Sequence, residues 1–556
     1  MGVTSATTIT QPAPAQIARA TAAAMPAHVS SRPLLGTLGV LLGAGTVTLA
    51  GRMLDLGLAD LKGHLGLSYD AGAWLTSAFN AALMFIGPFS VYLGGLLGPR
   101  RLLLFSAGVF TVVCTLLPLI HSYTLLVAAL IVAGLTSGTF YPLTLTFALT
   151  ALPLRHLPFT VALYATFIDG AVNIAPSLYG FYRDHLSWHW MFWGSALIVP
   201  VMMLCIYYGI PPRARKKDPP PSFIGFLYVS LGLAFLFTAL QQGQRLDWWR
   251  SGVFNALFWS GSFLVLCALV RRLLGPNPLV ALPYLWKWNT VLLGSLLFWF
   301  RFTLCITIIL IPQSLAIRGF EADQIGPAII WSAVPLLPVA FIAGYLLLHK
   351  LDPRILLAVG LACTAFSAVL NAHYDSAWAA ANFYRTALLT GVGQAFSLIG
   401  LVACIVLQGL FTGGMAKPAW IMTFSAFFHT VRLFGGTAGA IYMGHFIAVR
   451  EELHSNLLGL HVSSGSWITD QNIHAMSAGV YAKSSGMAAA GERAVDLLGN
   501  RLRLQAYSLS LIDGFLLIAW SCVCALILVA LLRRYPLNYG DLSELGKTPA
   551  LEKESK

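Results

Sequence analysis

Charged side chains stand inside or at the edges of long apolar runs in this 556-residue sequence. They are Arg52, Asp55, Asp60, Asp169, Arg301, Arg385, Arg432 and Asp513. A charge at the centre of a bilayer costs about 2.5–3.5 kcal/mol on insertion scales, so it requires a partner, a watery cavity or a function. These residues are therefore the first candidates for chemistry, either as proton carriers or as ligands for a polar solute.

The first apolar run contains Arg52 and Asp55, three residues apart. On a helix this spacing puts both side chains on one face, where they can pair. Burial favours the protonated form of a carboxylate and a nearby cation favours the ionised form. Asp55 is therefore a candidate proton carrier, with Arg52 as the residue that switches its proton affinity. The alternative is a static pair that only permits membrane insertion. Asp60 is a cavity candidate, although solvation at the outer end of the run would also account for it.

The fifth apolar run contains Asp169 and Asn173, which share one helix face because they are four residues apart. Pro176 follows and removes a backbone hydrogen bond, which can bend the helix. Asp169 is a candidate for proton or substrate binding, and the family resemblance given below implies that this span lines the central cavity, which makes Asn173 a candidate for the substrate cavity. The alternative is a polar bond between helices.

The remaining embedded charges are candidates for the walls of a substrate cavity: Arg301, Arg385, Arg432 and Asp513. Counting Arg52, four arginines face three clearly embedded aspartates, so the interior is not strongly acidic. This balance predicts weakly acidic or neutral amphiphilic aromatic substrates rather than dications. The 15 Trp, 19 Tyr and 33 Phe residues offer surfaces on which such molecules can stack.

The composition requires a lipid environment. The chain is 57% hydrophobic and only 10% charged, whereas soluble domains carry about 25% charged residues. The net charge of +13 does not indicate nucleic-acid binding, because the basic residues fall in short segments between apolar runs. None of the eight cysteines has the spacing of a metal site, and we predict no metal or cofactor.

Fourteen apolar runs are long enough for helices that cross a bilayer. They are 34–59, 72–96, 102–121, 123–150, 158–181, 190–210, 222–242, 253–271, 289–312, 325–349, 354–371, 383–411, 420–448 and 509–533. Basic residues concentrate in alternate connections, which places both termini in the cytoplasm. The sequence therefore predicts an all-α integral membrane protein of the bacterial inner membrane.

The spans divide into six, two and six. The predicted units are a disordered cytoplasmic tail (1–33), a six-helix bundle (34–210), a linker with two inserted helices (211–288), a second six-helix bundle (289–533) and a cytoplasmic tail (534–556). The second bundle includes a long polar segment, 449–508, with helical stretches such as 489–508, which would face the periplasm.

Several motifs, in chain order, carry a family resemblance. They are Asn173-Ile-Ala-Pro-Ser-Leu-Tyr-Gly180, Asp184-His-Leu-Ser-Trp-His-Trp-Met-Phe192, Leu240-Gln-Gln-Gly-Gln-Arg-Leu-Asp-Trp248, His349-Lys-Leu-Asp-Pro-Arg354 and Arg432-Leu-Phe-Gly-Gly436. The chain resembles the fourteen-span drug:proton antiporters of the major facilitator superfamily, the EmrB/QacA type. The resemblance implies conformational roles for Pro176, Gly180, Asp352 and Arg354, and by position for Gly95 and Arg100.

The chain also departs from this pattern. The loop after span two reads Gly95-Leu-Leu-Gly-Pro-Arg-Arg101, without the acid that the family usually has. Leu130 stands where the family has a span-four arginine that is implicated in proton coupling. Arg52 is a candidate to replace it.

The resemblance implies multidrug-type efflux by proton antiport and alternating access. An uncoupled uniporter or importer of the same fold and a non-transporting membrane scaffold are the alternatives. An enzyme is not expected, because no Gly-x-Ser-x-Gly, His-Glu-x-x-His or Cys-x-x-Cys pattern occurs. By the same resemblance, segment 449–508 would dock a periplasmic adaptor protein that leads to an outer-membrane channel.

Overall fold

The computed structural model describes residues 32–150, 156–212, 223–274, 286–375, 377–411, 418–463, 465–484 and 486–545. Every regular element in these ranges is helical, as the sequence predicts. Residues 1–31 of the N-terminal tail, 213–221 of the basic linker, 275–285 before the second bundle and 546–556 of the C-terminal tail lie outside the described residues.

Seven helices occupy the first six predicted spans. They are α1 (Pro33–Leu65), α2 (Tyr69–Leu97), α3 (Pro99–Leu116), α4 (Tyr123–Ser137), α5 (Phe140–Thr150), α6 (Leu157–His185) and α7 (Trp190–Gly209). α4 and α5 share one predicted span, which is interrupted at Gly138 and Thr139. In the predicted orientation, α1 begins at the cytoplasmic end and ends at the outer end.

Two helices follow, α8 (Phe223–Gly243) and α9 (Gly252–Leu274). They pack closely at Gly232 and Gly261, where the other helix leaves no room for a side chain. At its outer end α8 is fixed to α2, because Arg245 Nη1 lies 2.5 Å from Asp70 Oδ1 and Gln242 Nε2 donates to the Ala73 carbonyl at 3.0 Å.

The second half contains the remaining helices. They are α10 (Trp288–Thr303), α11 (Ile311–Ala316), α12 (Ala322–Ile330), α13 (Leu336–Leu348), α14 (Pro353–Asn371), α15 (Tyr384–Phe411), α16 (Pro418–Gly459), α17 (Trp467–Val480), α18 (Met487–Ala530) and α19 (Tyr539–Leu545). A π-helical segment, Ile306–Leu310, joins α10 to α11. Such bulges inside helices are frequent at functional sites.

Twelve helical segments in the described residues are long and apolar enough to cross a membrane. The predicted span 325–349 is divided between α12 and the shorter α13. The predicted span 420–448 lies in α16, which is not among the twelve and carries His429 and Arg432 in its central part. Each of the fourteen predicted runs thus contains helix, but the count of fourteen crossings, the orientation and the division into six, two and six stay predictions.

Segment 449–508 is mostly helical. α16 continues to Gly459, α17 follows, and α18 runs without interruption from Met487 to Ala530. The helical stretch predicted at 489–508 is therefore confirmed, as the first part of a helix that continues into the last apolar run.

Paired glycines bring helices into close contact, as expected for small residues in membrane helices. A Cβ atom at Gly134 would overlap the Phe79 carbonyl oxygen, so α4 lies directly on α2. A Cβ atom at Gly435 would lie 3.1 Å from Phe298 Cα, and at Gly439 it would lie 3.3 Å from Phe302 Cα. Both pairs thus serve helix packing, and the second pair brings α16 against α10.

Candidate functional site

A cavity lies between α5 and α6 of the first half and α10, α15 and α16 of the second. The space between its walls that protein atoms do not occupy is about 600 Å³, including the part that is open to the surroundings. Most of its wall is formed by aliphatic and phenylalanine side chains, and four other residues line it: Tyr141, Asp169, Arg301 and Arg432. The structure thus brings together three charged residues that the sequence proposed from three separate spans.

Asp169 is the one carboxylate among the residues that line this cavity. Its side chain is 1% exposed, and neither carboxylate oxygen has a hydrogen-bond partner among the described residues. Arg301 is the cation whose charge acts on it, but the two side chains form no ion pair within 4.0 Å. A buried carboxylate without a direct partner is costly when ionised, so its charge must depend on what enters the cavity.

Asn173 lies one turn after Asp169 on α6 and is fully buried. Its Nδ2 donates to Gln394 Oε1 of α15 at 3.1 Å. Asn173 does not line the cavity, so its proposed place in the substrate cavity is not supported. It instead forms the polar bond between helices that was the alternative for this helix face.

Arg432 lies over the ring of Tyr141, with 4.4 Å between the guanidinium carbon and the ring centroid. Its Nη1 also donates to Thr48 Oγ1 of α1 at 3.4 Å. Arg301 packs on Gly436, because a Cβ atom there would lie 2.9 Å from Arg301 Nη2. The Nε atoms of both arginines have no acceptor in the described part of the chain, so both retain donors for a ligand.

Tyr141 is a site residue that the sequence did not single out. It follows the interruption between α4 and α5, and its ring stacks on His429 with centroids 5.1 Å apart. The available signal was an aromatic residue just after Gly138 and just before Pro142, both of which disturb a membrane helix.

Arg52 and Asp55 pair as predicted, with 3.8 Å between Nη1 and Oδ2. The Asp55 side chain is 47% exposed and that of Arg52 is 16% exposed. Neither residue lines the cavity that contains Asp169. The protein therefore has two separate carboxylate sites, one paired and partly exposed, the other unpaired and buried.

Three other candidates lie outside this cavity. Asp60 accepts a hydrogen bond from the Tyr179 hydroxyl. Asp513 accepts from Arg450 Nε at 2.6 Å and contacts His454 Nε2 at 2.7 Å. Arg385 is exposed in the first turn of α15. None of the three is among the residues that line this cavity, because the first two bind other partners and the third is exposed. Their cavity roles stay predictions.

The outer halves of α6 and α12 are held together at Gly180. A Cβ atom at Gly180 would lie 3.2 Å from Asp323 Cα, and Pro176 is accommodated inside the continuous helix α6. Arg183 Nη2 reaches Glu321 Oε2 at 2.7 Å and Asp323 Oδ1 at 3.8 Å. This contact joins the two halves at the end that the predicted orientation places outside, and the conformational role of Gly180 stays a prediction.

The motifs around Arg100 and Arg354 lie at the end that is predicted to be cytoplasmic. Each makes a hydrogen bond between helices of one half, and we call this contact a clasp. Arg100 Nη2 donates to the Tyr207 carbonyl at 2.6 Å, and Arg354 Nη1 donates to the Leu532 carbonyl at 2.7 Å. Asp352 caps α14 and pairs with Arg354 at 2.6 Å, whereas Gly95 is exposed in the last turn of α2. Each clasp ties helices within one half.

The second clasp is extended by α19, which folds back under the second half. Hydrogen bonds of the Lys350 ammonium to Asp541 and Glu544 raise the pKa of Lys350 above its ordinary value. The Tyr539 hydroxyl donates to the Ala403 carbonyl at 2.9 Å.

Comparisons with known proteins agree with this architecture. The sequence profile of the Major Facilitator Superfamily matches residues 40–448. The multidrug export protein EmrB of Haemophilus influenzae is 24% identical over 459 residues, which cover 80% of this chain and 86% of that protein. The fatty acid resistance protein FarB of Neisseria gonorrhoeae is 21% identical over 72% of this chain and 78% of its own length.

Among solved structures, the proton:xylose symporter XylE aligns with a TM-score of 0.52 at 12% identity. The alignment covers 93% of this chain and 99% of XylE. At this identity the likeness concerns the fold alone.

Proposed function

We propose that this chain, which belongs to the major facilitator superfamily, exports amphiphilic aromatic small molecules in exchange for protons. It is a multi-pass membrane transporter of the type found in bacterial inner membranes. In this fold, substrates bind near the bilayer midplane between two helical bundles, which rock about the site to give alternating access. The cavity around Asp169 has that position between the two halves.

The observation that carries the proposal is the unpartnered, buried carboxylate of Asp169. It binds a proton readily when the cavity is empty, because an isolated buried charge is costly. A solute that donates a hydrogen bond to the carboxylate stabilises the ionised form and so releases the proton. Proton and solute then exclude each other, which is the requirement for antiport.

The charges of the cavity favour a particular class of solute. Arg301 and Arg432 outweigh Asp169, so a dication is repelled. A weakly acidic aromatic molecule that is neutral at pH 7, such as a phenol, fits all parts of the wall. Its hydroxyl group donates to Asp169, its oxygen accepts from a guanidinium, and its ring lies against the apolar residues and Tyr141.

The names of two relatives support an amphiphilic substrate. EmrB is named a multidrug export protein and FarB a fatty acid resistance protein. Neither name identifies the substrate of this chain, and the proposed class depends on the charges of the cavity.

A direct test records currents from the full-length protein in proteoliposomes on a solid-supported membrane after a rapid jump of 2-naphthol. Passive entry of this neutral solute moves no charge, whereas antiport moves protons out of the lumen. We expect a current of that sign, absent from protein-free liposomes. No current would favour the uniporter, and a current of opposite sign the importer. Stronger binding of 1,1′-dimethyl-4,4′-bipyridinium, a dication, would contradict the substrate class.

The non-transporting scaffold predicts that Asp55→Asn and Asp169→Asn leave any resistance phenotype unchanged. The proposal instead expects Asp169→Asn to remove resistance to hydroxylated aromatics in cells with equal amounts of protein. Western blotting of membranes provides the control for expression.

We also propose that the helices of segment 449–508 contact a periplasmic adaptor protein of an outer-membrane efflux route. In support, α16 and α18 extend beyond the apolar runs and are joined by α17. Replacement of residues 460–486 by a short Gly/Ser linker should leave 2-naphthol currents intact and abolish resistance in cells. Unchanged resistance would contradict the adaptor.

A further inference from the structure

His429 is a buried titratable residue that the exchange at Asp169 does not use. It lies on α16, one turn before Arg432, and its side chain is 0% exposed. Neither ring nitrogen has a hydrogen-bond partner in the described residues. A neutral imidazole has one donor and one acceptor, and the charged form has two donors. In either form, the ring nitrogens of His429 therefore have no hydrogen-bond partner among the described protein groups, which is unusual for a buried side chain.

The ring lies in the seam between the two halves. One edge packs on α2, because a Cβ atom at Gly87 would lie 2.9 Å from His429 Cδ2. One face stacks on Tyr141 of α5 at 5.1 Å, with 27° between the ring planes. The helix that bears His429 belongs to the second half, whereas Gly87 and Tyr141 belong to the first. Any rocking of the halves must change these contacts.

The charged and titratable groups around the ring are arginines and tyrosines. Arg432 lies on the same helix and acts on His429 electrostatically, Tyr141 faces it from α5, and on α2 the contact is Gly87. Behind Tyr141 stand Arg301 of α10 and Tyr164 of α6. These neighbours provide two cations and no carboxylate, so the present packing holds the imidazole neutral.

We propose that His429 is a second proton-binding residue of the transport cycle, neutral while α2 and α16 are packed together and protonated when the seam opens to water. This inference rests on the proposed alternating access and proton exchange. A histidine in water binds its proton between about pH 5 and 8, so opening the seam admits the proton and closing it expels the proton. Coupling then involves two groups, Asp169 in the cavity and His429 in the seam.

The test needs no substrate. Full-length protein in proteoliposomes on a solid-supported membrane receives rapid pH jumps from pH 8 to values down to pH 5, and the displaced charge is integrated. The variants are wild type, His429→Phe, His429→Gln and Asp169→Asn. Phenylalanine keeps the stack on Tyr141 but cannot bind a proton, and thermal melting shows whether each variant is folded.

We expect His429→Phe and His429→Gln to displace about half the charge of wild type, since one of two groups is lost, and the lost component to have its midpoint in the histidine range. Asp169→Asn should lose the other component. If folded His429→Phe displaced as much charge as wild type at every pH, the inference would be overturned. His429 would then have only a stacking role against Tyr141. Unchanged displacement in Asp169→Asn would overturn the proposed function instead, so the two failures are distinguishable.

Discussion

The two carboxylate sites differ in what surrounds them. Asp55 is paired with Arg52 at 3.8 Å and remains 47% exposed. Asp169 is 1% exposed and has no hydrogen-bond partner among the described residues. A nearby cation favours the ionised form of a carboxylate, whereas the charge of an unpaired buried carboxylate follows the contents of its cavity. The comparison therefore assigns proton exchange to Asp169 and a supporting role to the Arg52–Asp55 pair.

The largest effect is expected for Asp169→Asn. The amide cannot exchange a proton but retains the size and much of the hydrogen bonding of the carboxyl group. The 2-naphthol jump current should fall roughly 100-fold, the scale on which loss of a proton-transfer group acts, while 2-naphthol still binds. Substantial current in this variant would assign the exchange to another group.

Arg301→Ala should weaken 2-naphthol binding roughly 10- to 100-fold, since a hydrogen bond from a charged donor contributes about 1.5–3 kcal/mol. Arg385→Ala is the matched control, because Arg385 is exposed outside the cavity and its loss should change the affinity less than about twofold. Quenching of tryptophan fluorescence in detergent measures both. Equal losses in the two variants would show that the cavity is not the binding site.

Gly180→Ala should destabilise the closed outer contact by about 1–3 kcal/mol, since the new methyl group would press on the backbone of α12. Gly444→Ala is the control, because a Cβ atom there meets nothing within 4 Å and alanine is the better helix former. Thermal melting should show a lower midpoint for the first variant alone. If the two variants melted at the same temperature, Gly180 would not be part of the outer contact.

The smallest effect is expected for Asp55→Asn. Partly exposed ion pairs contribute about 0–1 kcal/mol, so the 2-naphthol current should change by no more than about threefold. Loss of the current in this variant, at normal folding and expression, would reverse the comparison between the two sites.

Hydropathy and residue spacing predicted the helical runs and the Arg52–Asp55 pair, because these features depend on neighbours in the sequence. The sequence could not predict which distant charges share a cavity. The packing of α6, α10 and α16 is what brings Asp169, Arg301 and Arg432 together. Asn173 instead forms a hydrogen bond with Gln394 of α15.

Two residues that were predicted to line the cavity lie elsewhere, for reasons that are local to their helices. Asp513 lies in an apolar run, but α16 extends past its own run and brings Arg450 and His454 to it. Arg385 was placed inside a span, whereas the helix begins at Tyr384 and leaves it exposed. The interruption at Gly138 and Thr139 lies where Gly138 packs on α2.

The most direct measurement of the central claim is proton release when 2-naphthol binds to the purified protein in weakly buffered detergent solution, followed with a pH indicator. The account predicts release by wild type and by Asp55→Asn, and none by Asp169→Asn at saturating 2-naphthol. Release that persists in Asp169→Asn, or that disappears in Asp55→Asn alone, would contradict it.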